Sequence, residues 1–140
     1  MKQIPVIFWT GTGNTQMMAD VIAAAINAAG AEAVVKNVSE ITADEAAGYA
    51  ALALGCPAMG AEVLEECEFE PFFTELEGKL SGKKVALFGS YGWGGSYMQD
   101  WEARIKDAGA ELVAAGVLAL GAPDDEAMAK LAEAGKLLAE

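Results

Sequence analysis

Thr10-Gly11-Thr12-Gly13-Asn14-Thr15 packs three hydroxyls, one carboxamide and two glycines into six positions, with no charged side chain among them. Hydroxyl, amide and backbone N–H donors at that density suit an anion held by neutral hydrogen bonds, above all a terminal phosphate. The two glycines let the backbone come close to such a ligand. Two other phosphate chemistries fail here. A P-loop needs Gly-Lys-Ser/Thr at its end, and no lysine lies between Thr10 and Gln16. A dinucleotide fingerprint needs a third glycine, where this chain has Gln16.

Two later stretches offer a different chemistry. Gly55-Cys56-Pro57-Ala58-Met59-Gly60-Ala61-Glu62 is rich in turn formers and presents a methionine, whose polarizable thioether suits packing on a flat ring. Ser90-Tyr91-Gly92-Trp93-Gly94 sets two aromatics among glycines, where they can stack on a planar ligand. Taken alone, either stretch is equally compatible with a structural role. A phosphate cradle, a methionine and two aromatics converging on one edge specify a flat ring that carries one phosphate. The absence of histidine excludes His-based triads, His metal sites and His acid–base catalysis. Cys56 and Cys67 fit neither CxxC nor zinc spacing, and both read as small, reduced core residues.

Alternating strands and helices must position these loops. Val6–Trp9 reads as the first strand, with Pro5 just before it unable to donate to a ladder. A helix follows from Asn14 or Thr15 to Ala29, its stripe Met18, Val21, Ile22, Ala25, Ile26 and Ala29, with Gly30 as the stop. Ala33–Val38 is a short second strand, and Thr42 with Glu45 has capping-box spacing for a short helix. Ala50–Gly55 is an apolar run that predicts a doubly buried third strand. A third helix carries Phe69, Phe72, Phe73 and Leu76, with Pro71 near its start and Gly78 at its end. Lys84–Gly89 is strand four. Ser96 and Gln99 suggest another capping box, opening a helix faced by Tyr97, Trp101 and Ile105. Glu111–Leu120 is a fifth strand with a break expected near Gly116, and Asp124 caps a last helix bearing Met128, Leu131 and Leu138.

Strict alternation at about 30 residues per unit predicts a parallel sheet covered on both faces, a doubly wound α/β sandwich. The 140 residues suffice for one such domain, spanning residues 1–140. Ligands of these sheets sit at the carboxyl ends of the strands, where the loops after strands one, three and four would meet. The net charge of −12 opposes nucleic acid and anionic membranes, and favours basic protein partners. No apolar run reaches the roughly 18 residues that span a bilayer. The first residues lack a signal-peptide pattern, so a soluble cytoplasmic protein is expected.

Four stretches together resemble the short-chain bacterial flavodoxins of the clostridial kind. They are Thr-Gly-Thr-Gly-Asn-Thr at 10–15, Gly-Cys-Pro-Ala-Met-Gly at 55–60, Glu-Phe-Glu-Pro-Phe at 68–72 and Gly-Lys-Lys-Val-Ala-Leu-Phe-Gly-Ser-Tyr-Gly-Trp-Gly at 82–94. The resemblance implies a three-layer α/β/α sandwich with a five-stranded parallel sheet in the order 2-1-3-4-5. It also implies a low-potential one-electron carrier with non-covalently bound FMN. Thr10, Gly11, Thr12, Gly13, Asn14 and Thr15 would then match the family's phosphate loop. Trp93 would match the aromatic on one face of the isoalloxazine and Met59 the cover of the other, with Pro57, Ala58 and Gly94 beside them. Gly60 would match the glycine whose peptide turns over on reduction, and Glu62 the carboxylate on the N3 edge. Ser90, Tyr91 and Gly92 would lie along the ring. Ala61 departs from the Asp, Asn or Gly usual after that glycine, and a positive φ at alanine costs roughly 1 kcal/mol. Pro57 removes an N–H beside the phosphate loop.

Residues 62–70 hold Glu62, Glu65, Glu66, Glu68 and Glu70 with no base among them. That stretch is expected to disfavour added negative charge on a reduced flavin. It is also expected to dock basic-patched redox partners, such as reductases and ferredoxin-linked enzymes, through Glu62, Glu65 and Glu66, from a monomer. The same fold also serves FMN quinone or nitro reductases, which need open space over the ring; Trp93 and Met59 would leave little. Phosphoacceptor signalling domains are excluded. They require acidic residues where Phe8-Trp9-Thr10 and Gly55-Cys56 stand.

Overall fold

The computed structural model describes residues 2–11, 13–57, 64–91 and 96–140, the last without the Ser96 side chain. Six parallel strands form one sheet: β1 (Gln3–Phe8), β2 (Glu32–Asn37), β3 (Ala51–Gly55), β4 (Lys84–Tyr91), β5 (Glu111–Leu112) and β6 (Val117–Leu120). Their order is β2-β1-β3-β4-β5, with β6 also paired to β4, so the expected order 2-1-3-4-5 holds. The predicted fifth strand is two short strands. Between them the Gly116 N–H donates to the Glu102 carboxylate at 2.7 Å instead of to the ladder.

Pro5 lies inside β1, one step further in than expected. The Glu32 N–H donates to the Lys2 carbonyl (2.8 Å) and the Trp9 N–H to the Gly55 carbonyl (3.0 Å). Successive peptide groups of a parallel strand address opposite neighbours, so the odd residues of β1 face β3. The N–H that Pro5 lacks is therefore missing only on that side. Pairing with β2 runs from Gln3, whereas pairing with β3 begins at Val6.

Among the described residues, five α-helices cover the sheet: α1 (Asn14–Ala28), α2 (Ala43–Ala47), α3 (Phe69–Glu77), α4 (Ser96–Asp107) and α5 (Asp125–Ala139). The side-chain alternation of the strands splits the core in two. Ile4, Val6, Phe8, Ala51, Ala53, Ala86 and Phe88 face α1 and α5. Ile7, Leu52, Leu54, Val85 and Leu87 face α2, α3 and α4. Two of the three expected caps are present, and the Ser96 side chain of the third lies outside the described residues. Thr42 and Glu45 form a reciprocal box on α2, and Asp124 Oδ1 accepts from Ala127 N at 2.8 Å on α5. On α4, Trp101 packs edge-on to Phe69 and Phe73. Its buried indole N–H has no partner among the described residues. None of the described helices is long and apolar enough to cross a membrane.

Candidate functional site

β1 delivers the first loop to the carboxyl edge of the sheet. Trp9 lies just past the strand, half-buried, its indole N–H donating to Glu68 at 3.2 Å. Thr10 Oγ1 accepts the Gly13 N–H at 2.9 Å, which fixes the loop, and among the described residues its own proton has no acceptor. Gly13 has φ +92°, a left-handed conformation that carries a cost for any residue with a Cβ. It hands the chain to α1, where the Met17 N–H bonds the Gly13 carbonyl at 3.0 Å. Among the described residues no side chain caps α1, and no acidic residue lies in its first turn. The first-turn N–H groups and the positive end of the helix dipole suit an anion.

Thr15 is buried, and its hydroxyl lies 3.3 Å from that of Ser90, also buried, at the end of β4. The first and third loops are thus joined by a hydrogen bond between two residues expected at the site. Tyr91 closes β4 half-buried, and its carbonyl accepts the Gly121 N–H at 3.2 Å. It borders a cleft of about 160 Å³ whose walls include Leu118, Leu120, Asp124 and Lys130. Pro57 is half-buried directly after Cys56. Of the remaining expected residues, Gly11 is exposed beside Trp9, and Asn14 starts α1 half-buried. Thr12, Ala58, Met59, Gly60, Ala61, Glu62, Gly92, Trp93 and Gly94 lie outside the described residues.

Below this edge lies a network that residue spacing did not reveal. Cys56 is fully buried, and its N–H donates to the Phe88 carbonyl at 3.1 Å. Its carbonyl accepts the Tyr97 hydroxyl at 2.8 Å, and its sulfur accepts the Glu65 N–H at 3.3 Å. Burial pushes the Cys56 thiol up to about 12, against a smaller opposing effect of the Glu65 N–H, so the sulfur stays protonated at neutral pH. Burial likewise raises the Tyr97 phenol, keeping its proton on the hydrogen bond to Cys56.

The acidic stretch is partly consumed by the fold. Glu65 is 5% exposed and is not a docking residue. Its carboxylate accepts N–H groups from Cys67 (2.7 Å), Glu68 (2.7 Å) and Phe69 (2.9 Å), capping α3 from beyond the usual N-cap position. Burial opposes the charge, but these three donors outweigh it and lower the carboxyl's pKa. Glu70 is paired with Arg104 (2.7 Å), whose guanidinium also reaches Glu77 (2.9 Å) and lies over the Phe73 ring. The Arg104 hydrogen bonds hold Glu70 below the ordinary carboxylate range. Glu66 and Glu68 are exposed. Cys67, expected in the core, is exposed on the turn that Glu65 organises. An acid three or four residues ahead of an aromatic helix start is a capping signal, but the run of neighbouring glutamates masked it.

Fold and site together define a doubly wound α/β domain with an uncharged, hydroxyl-bearing loop at the carboxyl edge of its sheet. The family model described as Flavodoxin matches residues 6–135. The chain is 48% identical to the flavodoxin of Clostridium beijerinckii over 135 residues, covering 96% of this chain and 97% of that one. It is 47% identical to the flavodoxin of Megasphaera elsdenii over 116 residues, covering 82% and 85%. The solution structure of two-electron reduced Megasphaera elsdenii flavodoxin superposes with a TM-score of 0.89 at 43% identity, covering 97% and 98%. The chain belongs to the flavodoxin family. It is an FMN-binding electron carrier.

Proposed function

We propose that this carrier works at low potential, one electron at a time, and holds the FMN phosphate on residues 10–15. The observation that carries the reading is the start of α1. Among the described residues, a left-handed Gly13, a Thr10 hydroxyl whose proton has no acceptor and a first turn without a side-chain cap converge there without a cation. Bound FMN supplies the redox chemistry; the protein's part is to bind, orient and bias. Backbone N–H groups of the first turn and the Thr10 and Thr12 hydroxyls hold the phosphate dianion. The Thr15–Ser90 bond keeps the cradle in register with the third loop, where Ser90, Tyr91, Gly92, Trp93 and Gly94 border the ring. Met59 would cover its other face with Pro57, Ala58 and Gly60 beside it, and Glu62 would hold the N3 edge.

The net charge of −12 surrounds this site with negative potential, which opposes adding electrons and supports a low potential. Glu62, Glu66 and the exposed Glu68 make the docking face for basic redox partners, whose association slows as salt rises. With both ring faces covered, the protein turns over no substrate of its own. It acts as a cytoplasmic monomer.

Titration of the apoprotein with FMN and with riboflavin tests the cradle, because the two ligands differ only in the phosphate. FMN is expected to bind at least about a hundredfold tighter, equivalent to about 2.7 kcal/mol from charge-assisted hydrogen bonds. Equal affinity would place the phosphate elsewhere.

A further inference from the structure

Cys56 and Glu65 stand nine residues apart in sequence and touch, closing a neck across residues 57–64. Both sides of that neck are fastened to the fold. On one side Cys56 is tied through its N–H to Phe88 and through its carbonyl to Tyr97. On the other, Glu65 binds three N–H groups of the turn and first residues of α3, and its carbonyl accepts the Glu70 N–H at 2.8 Å. Leu64, beside Glu65, is buried. Phe69 carries the anchorage into the core, edge-on to Trp101 at 5.5 Å.

The bond between the two sides joins a thiol sulfur to a backbone N–H. The Cys56 thiol also lies 3.5 Å from the Pro57 carbonyl, to which its proton is donated. One side chain thus holds the outgoing and the returning strand of the segment at once. A buried cysteine on an apolar edge needs none of this to fill space.

We propose that Cys56 and Glu65 are positioning residues for the cofactor. Their contact fixes where the chain leaves β3 and where it returns, so the segment between them meets FMN with less freedom to lose. This rests on the assignment of Pro57 to Glu62 to the flavin site. Cys56→Ala removes the sulfur and leaves the α3 cap intact. Cys56→Ser keeps an acceptor at the neck. Glu65→Gln weakens both the cap and the neck, and also removes a charge.

Three measurements on full-length protein test the proposal: hydrogen exchange of the Glu65 amide in the apoprotein, thermal stability, and FMN affinity by flavin fluorescence. In Cys56→Ala, Glu65 exchange is expected to rise at least about tenfold and the FMN Kd about tenfold. Cys56→Ser is expected to recover most of the affinity. If Cys56→Ala does not fold, Glu65→Gln carries the same expectation for affinity. FMN affinity within about twofold of the parent in both alanine and glutamine variants would overturn the proposal, even with lowered stability. A serine variant as weak as alanine would overturn it too. If FMN leaves amide exchange of residues 58–62 in the parent unchanged, the assignment of that segment to the flavin site fails instead.

Discussion

Removal of the Glu65 carboxylate should destabilise this protein by about 3 kcal/mol at neutral pH, and the loss should shrink in acid. In Glu65→Ala, three N–H groups at the start of α3 lose their acceptor, in a place where Glu68 supplies no cap of its own. Water can reach some of them, which keeps the cost below the sum of three buried orphans. The carboxyl's pKa is depressed in the folded chain, with burial opposing and the three donors prevailing. A depressed carboxyl contributes stability that is fully present above its unfolded value of about 4.3 and disappears as pH falls through the folded value. Urea unfolding of parent and variant at pH 7 and near pH 3 checks this. The gap should be largest at pH 7 and narrow in acid, while the Arg104-held Glu70 contributes the same acid lability to both.

Gly89→Ala should cost about 3 kcal/mol or more, because nothing at that position can yield. A Cβ on Gly89 would collide with the Cys56 carbonyl oxygen and the Tyr97 hydroxyl, which are themselves hydrogen-bonded to each other. One obstacle is backbone at the end of β3. The other is a buried ring on α4, 2% exposed and stacked on Trp101. The alanine must break the Tyr97–Cys56 bond or push β3 away from β4, and either change loosens the edge that carries the site. Chemical denaturation should show a reduced midpoint with little change in slope. A loss below about 1 kcal/mol would mean that this edge is far more compliant than its packing indicates.

The alternation of strands and helices was legible because each buried face leaves a period. The apolar runs of β1, β3 and β4 and the Met18-Ile22-Ile26 stripe of α1 appear in the structure where the pattern places them. Chain order also suffices to bring Thr10–Thr15, Pro57 and Ser90–Tyr91 to one edge. Long-range polar chemistry was not legible. The Thr15–Ser90 bond spans 75 residues and the Tyr97–Cys56 bond 41, and neither leaves a local signature. Glu65 was misjudged for a related reason. Its glutamate neighbours made it look like surface charge, whereas three helix-start N–H groups can hold a carboxylate under the fold. Cys67 was misjudged through composition, since a cysteine is usually buried and this one sits on an exposed capping turn.

This chain is expected to carry electrons singly on FMN held by a neutral cradle in an acidic protein. An anaerobic reductive titration of the FMN-loaded protein, followed by absorbance at controlled potential, tests it most directly. Two separate one-electron steps are expected, with a half-reduced flavin accumulating between them and the second step more negative than that of free FMN. A single two-electron step at or above the potential of free FMN would rule out a one-electron carrier.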